Sequence, residues 1–263
     1  MLLEGRSSSG ARMLKVKDDL VLHLEQKSAY DDMLLIRETR EDNTIVESFV
    51  PTSEFNSKLF EDRQQMASAV ITDDDGLRVC GIIGDDLRVR PLPTMERSEE
   101  GHVVPHLLYQ EEDPRSELPI TDYVSMPSSK DSRLRRDQAI VEERIDNIDN
   151  IKPEVHVVID SVYYKAFHSN QSAIIAYFGA LLNSVNLRYK TINDPKVIVK
   201  ITGFTFNTNY VDDKFIAFGY RSNLADMPTT LQKFRDTYEA QQSHLFGNVD
   251  IFVLITGRNM CAV

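Results

Sequence analysis

The sequence predicts an α/β unit of parallel strands joined by crossover helices, preceded by a separate β-rich unit. Three observations carry this reading. Short alternating apolar-polar runs fill roughly the first hundred residues, a polar acidic stretch interrupts the chain near its middle, and beyond it strand-length apolar runs alternate with stripes of helical period. The 263 residues, 41% hydrophobic and 27% charged, suffice for one large or two modest domains.

In the first stretch the runs lie at residues 20–24, 33–36, 69–71, 78–83 and 87–89. Turn signals at Asp75-Gly76 and Gly84-Asp85 punctuate them, so they read as antiparallel strands and hairpins of a β-rich unit over residues 1–112. Residues 113–150 are dominated by Glu, Asp, Pro, Ser and Arg. With few large apolar groups to offset the entropy of ordering, this segment reads as a linker. From Ile151 the pattern changes. Val155-His156-Val157-Val158-Ile159-Asp160 is the near-continuous apolar run of a strand buried on both faces of a parallel sheet. Residues 172–189 place Ile174, Ile175, Phe178, Leu181, Leu182 and Val185 at helical spacing, an amphipathic helix. Residues 196–205 alternate through Val197, Val199 and Ile201 as a second strand. A helix then opens after Asp226, with Pro228 in its first turn and Leu231, Phe234 and Tyr238 on one stripe. Residues 249–256 form the third strand. Strand, helix, strand, helix, strand in this order implies right-handed crossovers and a parallel sheet over 151–263.

The formal charge of -11 and the lack of any sustained Lys/Arg block exclude a phosphate-backbone partner. No window approaches the roughly 18 apolar residues of a membrane span, and the most apolar stretch, 249–257, carries Asp250. No secretory h-region is visible at the start, where Glu4 follows two leucines. Cys80 and Cys261 make neither a disulfide framework nor a zinc module and read as two small, partly buried thiols, or Cys261 pairs with a cysteine outside these 263 residues.

Each motif that suggests chemistry has a plain counterpart. His102 and His106 have the i, i+4 spacing of a zinc helix, but Pro105 denies the helix and no glutamate stands between them, so they read as surface or turn histidines. Asp160-Ser161-Val162-Tyr163 lacks the second hydroxyl of a D-x-S-x-S cation site, and Asp160 reads as a strand-terminal cap. No phosphate-binding glycine loop and no G-x-S-x-G nucleophile occurs. Arg133-Leu134-Arg135-Arg136 is either a solvated basic cluster or a cleavage site for a subtilisin-like proprotein convertase. Asn170-Gln171-Ser172 is a sequon for N-glycosylation.

Two stretches resemble the reprolysin (adamalysin) branch of the metzincin zinc metalloproteases, within it the salivary-gland metalloproteases of ticks. Gly76-Leu77-Arg78-Val79-Cys80-Gly81-Ile82-Ile83, then Leu87 to Pro93 and His102 to Tyr109, is similar to the end of the reprolysin propeptide. Glu154-Val155-His156-Val157-Val158-Ile159-Asp160 resembles the opening strand of the catalytic domain, and Asp250-Ile251-Phe252-Val253-Leu254-Ile255-Thr256-Gly257 its third strand.

The resemblance implies a propeptide over 1–112, a linker with its processing site near 133–136, and the first half of a metzincin-like catalytic domain over 151–263. It implies a secreted zinc metalloendopeptidase in zymogen form that acts on extracellular proteins, with protein substrates and a proprotein convertase as partners. In the family, H-E-x-x-H-x-x-G-x-x-H supplies three zinc-binding histidines and a glutamate that polarises the metal-bound water. That motif does not occur in these 263 residues, so no catalytic residue and no zinc ligand is assigned, and the chain alone is expected to be inactive. Glu154 and Asp250 match family calcium ligands, against the reading of ordinary surface carboxylates. Cys80 occupies the region where a propeptide thiol can block zinc, without the usual flanking residues. The alternative function is a non-catalytic secreted binding or inhibitory protein derived from a metalloprotease.

Overall fold

The computed structural model describes residues 3–6, 12–39, 44–73, 76–92, 104–110, 150–192, 194–210, 213–219, 224–245 and 249–261. The chain begins with strands β1 (Leu3–Arg6), β2 (Arg12–Lys17) and β3 (Leu20–Gln26). The hairpin β4 (Met33–Thr39) and β5 (Ile45–Pro51) and the short helix α1 (Ser53–Ser57) follow. Next come β6 (Leu59–Asp62), β7 (Ala67–Thr72), β8 (Arg78–Ile83), β9 (Leu87–Pro91) and β10 (His106–Gln110). Eight of these strands make one antiparallel, curled sheet in the order β1-β2-β3-β6-β7-β8-β9-β10, with β4 and β5 left out of it.

The second half holds β11 (Asn150–Ile151), β12 (Glu154–Ile159), α2 (Ser161–Ala166), α3 (Gln171–Tyr189), β13 (Lys196–Val197) and β14 (Lys200–Phe206). It ends with β15 (Ala225–Asp226), α4 (Met227–Leu245), β16 (Ile251–Ile255) and β17 (Met260–Cys261). As the hydrophobic pattern predicts, β12 pairs in parallel with both β14 and β16. The expected second strand is split: Asn186 on α3 clamps Val199 through both its amide atoms, each at 2.9 Å, between the short β13 and the longer β14.

Strand β4 joins the two halves. This strand pairs antiparallel with β5, as a hairpin should, but its other edge runs parallel to β14, from Gly203↔Leu35 to Phe206↔Glu38. The second sheet therefore has five strands in the order β16-β12-β14-β4-β5, two of them from the N-terminal half. Close approach explains Gly203: a Cβ there would lie 2.6 Å from the Leu35 carbonyl oxygen and 2.9 Å from His156 Nδ1.

Alternation divides the side chains between three cores. On one face of the curled sheet Leu14, Leu22, Leu24, Ala69, Ile71 and Val79 pack together. Its other face presents Leu59 and Val70 to α3, which is why β7 is buried along nearly its whole length. Helix α3 lies between the two sheets. Ile174, Phe178 and Leu182 face Val157, Ile159, Phe204 and Phe206, while Gly179 meets Leu59 and Tyr30, so residues of both halves share one core. Below the five-stranded sheet, α4 covers Val158 with Phe234 and Tyr238. No helix among the described residues is long and apolar enough to cross a membrane.

Candidate functional site

In parallel sheets, ligand sites form at the carboxyl ends of the strands. Here the ends of β12, β14 and β16 converge on two buried carboxylates and one guanidinium. Asp160 is the N-cap of α2, accepting from the Tyr163 N–H at 2.7 Å, and so caps a helix that the sequence reading did not contain. It also accepts from Gly257 N–H at 3.1 Å and Thr256 Oγ1 at 2.6 Å. Asp213 accepts from Ser161 Oγ at 2.6 Å and Asn207 Nδ2 at 3.0 Å. Arg258 joins the two, with Nη2 2.8 Å from Asp213 and Nε 3.4 Å from Asp160. Every carboxylate oxygen is engaged, so this cluster pins the loops at the strand ends and offers no vacant donor to a cation.

At the opposite ends of the same strands the structure brings Glu154 and Asp250 together. The Glu154 N–H donates to Asp250 Oδ2 at 2.9 Å, and the Asp250 N–H donates to the Glu154 carbonyl at 2.9 Å. Calcium takes six to eight oxygens. Two carboxylates are fewer than such a shell needs, and one Asp250 oxygen is already turned to the backbone.

The remaining sequence candidates are dispersed. Cys80 lies in β8, a free and partly buried thiol whose burial raises its pKa. Asn170 is the N-cap of α3 and accepts from Ala173 N–H at 3.0 Å through Oδ1, leaving the cap independent of Nδ2, the atom that glycosylation modifies. His106 is not a turn residue: it opens β10, and its half-buried Nε2 accepts from the Val79 N–H at 2.9 Å, which desolvation of the ring, lowering its pKa, keeps neutral. Arg133, Arg135 and Arg136 lie outside the described residues, as does His102.

A polar group that the sequence reading missed sits beneath α4. His156 is fully buried in β12 and its Nε2 lies 2.8 Å from Thr205 Oγ1. Burial, and then the charge of Arg37 on β4, pull its pKa down to about 3. Arg37 is itself buried and pairs with Glu47 at 3.3 Å. The signal available was a charged residue on the apolar side of a hairpin, which period-two reading assigns to solvent.

Among the described residues no three His, Cys, Asp or Glu side chains converge to hold a metal ion. These residues therefore do not fit zinc, which needs three or four such ligands, and no step through zinc follows from them. No family model matches the chain. Over 62 residues it is 32% identical to Venom metalloproteinase 3 of Eulophus pennicornis. The likeness is to a metalloproteinase. The matched segment is 24% of this chain and 15% of that protein, so the chain is a distant and partial relative of it.

Proposed function

We propose that this chain carries the N-terminal part of a secreted, zinc-dependent metalloendopeptidase in zymogen form, one that hydrolyses extracellular proteins. The observation that carries the reading is the 62-residue likeness to a venom metalloproteinase. The parallel β12, β14 and β16 with their crossover helices support it, because they supply the strand order that the reprolysin resemblance implies. On this reading residues 1–112 are the propeptide, 113–150 the linker cut at Arg133, Arg135 and Arg136 by a proprotein convertase, and 151–263 the first half of the catalytic domain. Glu154 and Asp250 contribute to a calcium site, Asn170 carries a glycan, and zinc is bound by residues outside these 263. Cys80 as a blocking thiol requires loss of the proton that its buried setting favours.

The coding sequence downstream of Val263 tests the proposal. An H-E-x-x-H-x-x-G-x-x-H motif is expected there, and chelator-sensitive hydrolysis of gelatin by the protein that contains it. A stop codon with no such motif overturns it.

A second reading, a non-catalytic secreted binding or inhibitory protein, is favoured by one observation. The N-terminal hairpin covers the outer edge of β14 and both halves share one core, while β16 remains an edge strand with Ile251 45% exposed. The purified 263-residue chain is then monodisperse and inert towards casein and gelatin. Chelator-sensitive cleavage by it excludes this reading.

A further inference from the structure

A cavity of about 360 Å³ opens on the seam between the two halves, where residues 27–31 of the N-terminal unit face the end of α3 and residues 196–200. Its volume falls within the ~300–1,000 Å³ of small-ligand pockets. The walls are largely apolar, with Tyr30, Tyr189, Ile192, Val197 and Ile198 among them. Ile192 and Ile198 are each 42% exposed, and both line the cavity. Val199 is held on α3 by the two Asn186 amide bonds, which fixes this part of the wall in advance.

Two features of the cavity call for an anion. First, four lysines and two carboxylates line it, a local excess of two positive charges in a chain of net -11. Lys190 pairs with Glu61 at 3.0 Å and Lys200 with Asp31 at 2.8 Å, which among the described residues leaves the ammonium groups of Lys27 and Lys196 for a ligand. Second, Asn183 is only 3% exposed and lines the cavity, yet among the described residues its Nδ2 has no hydrogen-bond partner. A buried amide donor left unpaired is costly, and an acceptor in the cavity removes that cost.

We propose that this seam cavity binds a small monocarboxylate with an apolar body, of the chemistry of a medium-chain fatty acid. Its body covers Ile192, Ile198 and Tyr189. Its head-group oxygens accept from Asn183, and the flexible stems of Lys27 and Lys196 bring the counter-charge. A compact polyanion such as phosphate satisfies the lysines and leaves the apolar wall exposed. Because the walls come from both halves, the bound ligand ties the N-terminal unit to α3. The inference stands apart from the metalloendopeptidase reading.

Titration calorimetry of the full chain with monomeric decanoate tests it, with decanol and decylamine as arms that keep the body and change the head. Saturable one-to-one binding of decanoate is expected, with a rise in Tm, and with decanol and decylamine each at least about tenfold weaker. The double variant Lys27→Glu/Lys196→Glu, at exposed or half-exposed positions, weakens decanoate by about tenfold or more while its unliganded Tm is unchanged. Asn183→Leu, which replaces the unpaired amide with a similar volume, keeps or raises the unliganded Tm and also weakens decanoate. Absence of saturable binding, equal binding of all three heads, or variants that bind decanoate like the parent chain each overturn the proposal.

Discussion

The core on the inner face of the curled sheet and the core around α3 are built in opposite ways. The first uses aliphatic residues between Leu14 and Val89 and closes within one stretch of sequence. The second joins Tyr30, Leu34, Ile36, Phe55, Leu59 and Val70 to residues 155–206, and its centre is aromatic. Phe204 stacks on Phe206 with centroids 5.8 Å apart and meets Phe178 and Tyr30 edge-on. The difference teaches that the N-terminal sheet has an interior of its own, whereas the C-terminal half completes its interior with N-terminal side chains. Hairpin β4–β5 makes the same point in the backbone, since its hydrogen bonds to β14 cover an edge that is otherwise a template for aggregation.

The largest effect is expected at the shared centre. Phe204 is 0% exposed, and Phe204→Ala should cost about 3–5 kcal/mol in urea unfolding. Hydrogen exchange should then accelerate in β7 as well as in β12, because the cavity lies between them. Faster exchange confined to residues 150–261 would break the comparison and make the two halves independent.

Much of the C-terminal half was legible because β12 and most of β14 are buried and the helices carry apolar stripes. The seam was not, and α3 shows why. The stripe read from the sequence, Ile174, Phe178 and Leu182, faces the five-stranded sheet. The buried positions on its other side include Gly179, Ala180, Asn183 and Ser184, small or polar residues that no hydropathy pattern marks. They are small because the curled sheet comes close: a Cβ at Gly179 would lie 2.8 Å from Leu59 Cδ1. Likewise β4 has the alternation of an ordinary hairpin strand, and nothing local records that its partner lies about 170 residues away. At the site, Glu154 and Asp250 were readable as strand openers and do meet. Asp213 and Arg258, in loops, carry their meaning only once the strand ends converge.

The second effect is a pH dependence placed in the seam. His156 ordinarily titrates near 6.5 and is held at about 3 by burial and by Arg37. Between these values the unfolded chain binds the proton and the folded chain does not, so stability is full above about pH 6.5 and falls as pH drops towards 3. The loss is on the order of a few kcal/mol. His156→Gln, which keeps a hydrogen-bonding group beside Thr205, should flatten this limb of the stability curve. An unchanged limb would assign the acid sensitivity to other groups and remove Arg37 from the account.

A smaller effect is expected from the ion pair that crosses the seam at its rim. Lys200 Nζ lies 2.8 Å from both oxygens of Asp31, but the side chains are 32% and 68% exposed. A double-mutant cycle with Lys200→Ala and Asp31→Ala should give a coupling of about 1 kcal/mol or less, reduced further by salt. A coupling of several kcal/mol would shift the bond between the halves from packing to charge.

The smallest effect should come from the most conspicuous operation, cutting the chain at Arg133 to Arg136. Among the described residues the two halves are attached by the shared core, the β4·β14 ladder, Tyr30 Oη donating to the Ile175 carbonyl, and Arg188 holding Gly84 and Asp85. Joining two surfaces by a linker adds effective concentration and no contact. Proteolysis by a convertase of that specificity, followed by size-exclusion chromatography at micromolar concentration, should therefore return both fragments in one peak of unchanged volume. In the Phe204→Ala background the same cut should let them separate, since the packing that replaces the linker has been removed. Separation of the parent fragments on cutting alone would mean that the linker, and not the core, holds the halves together.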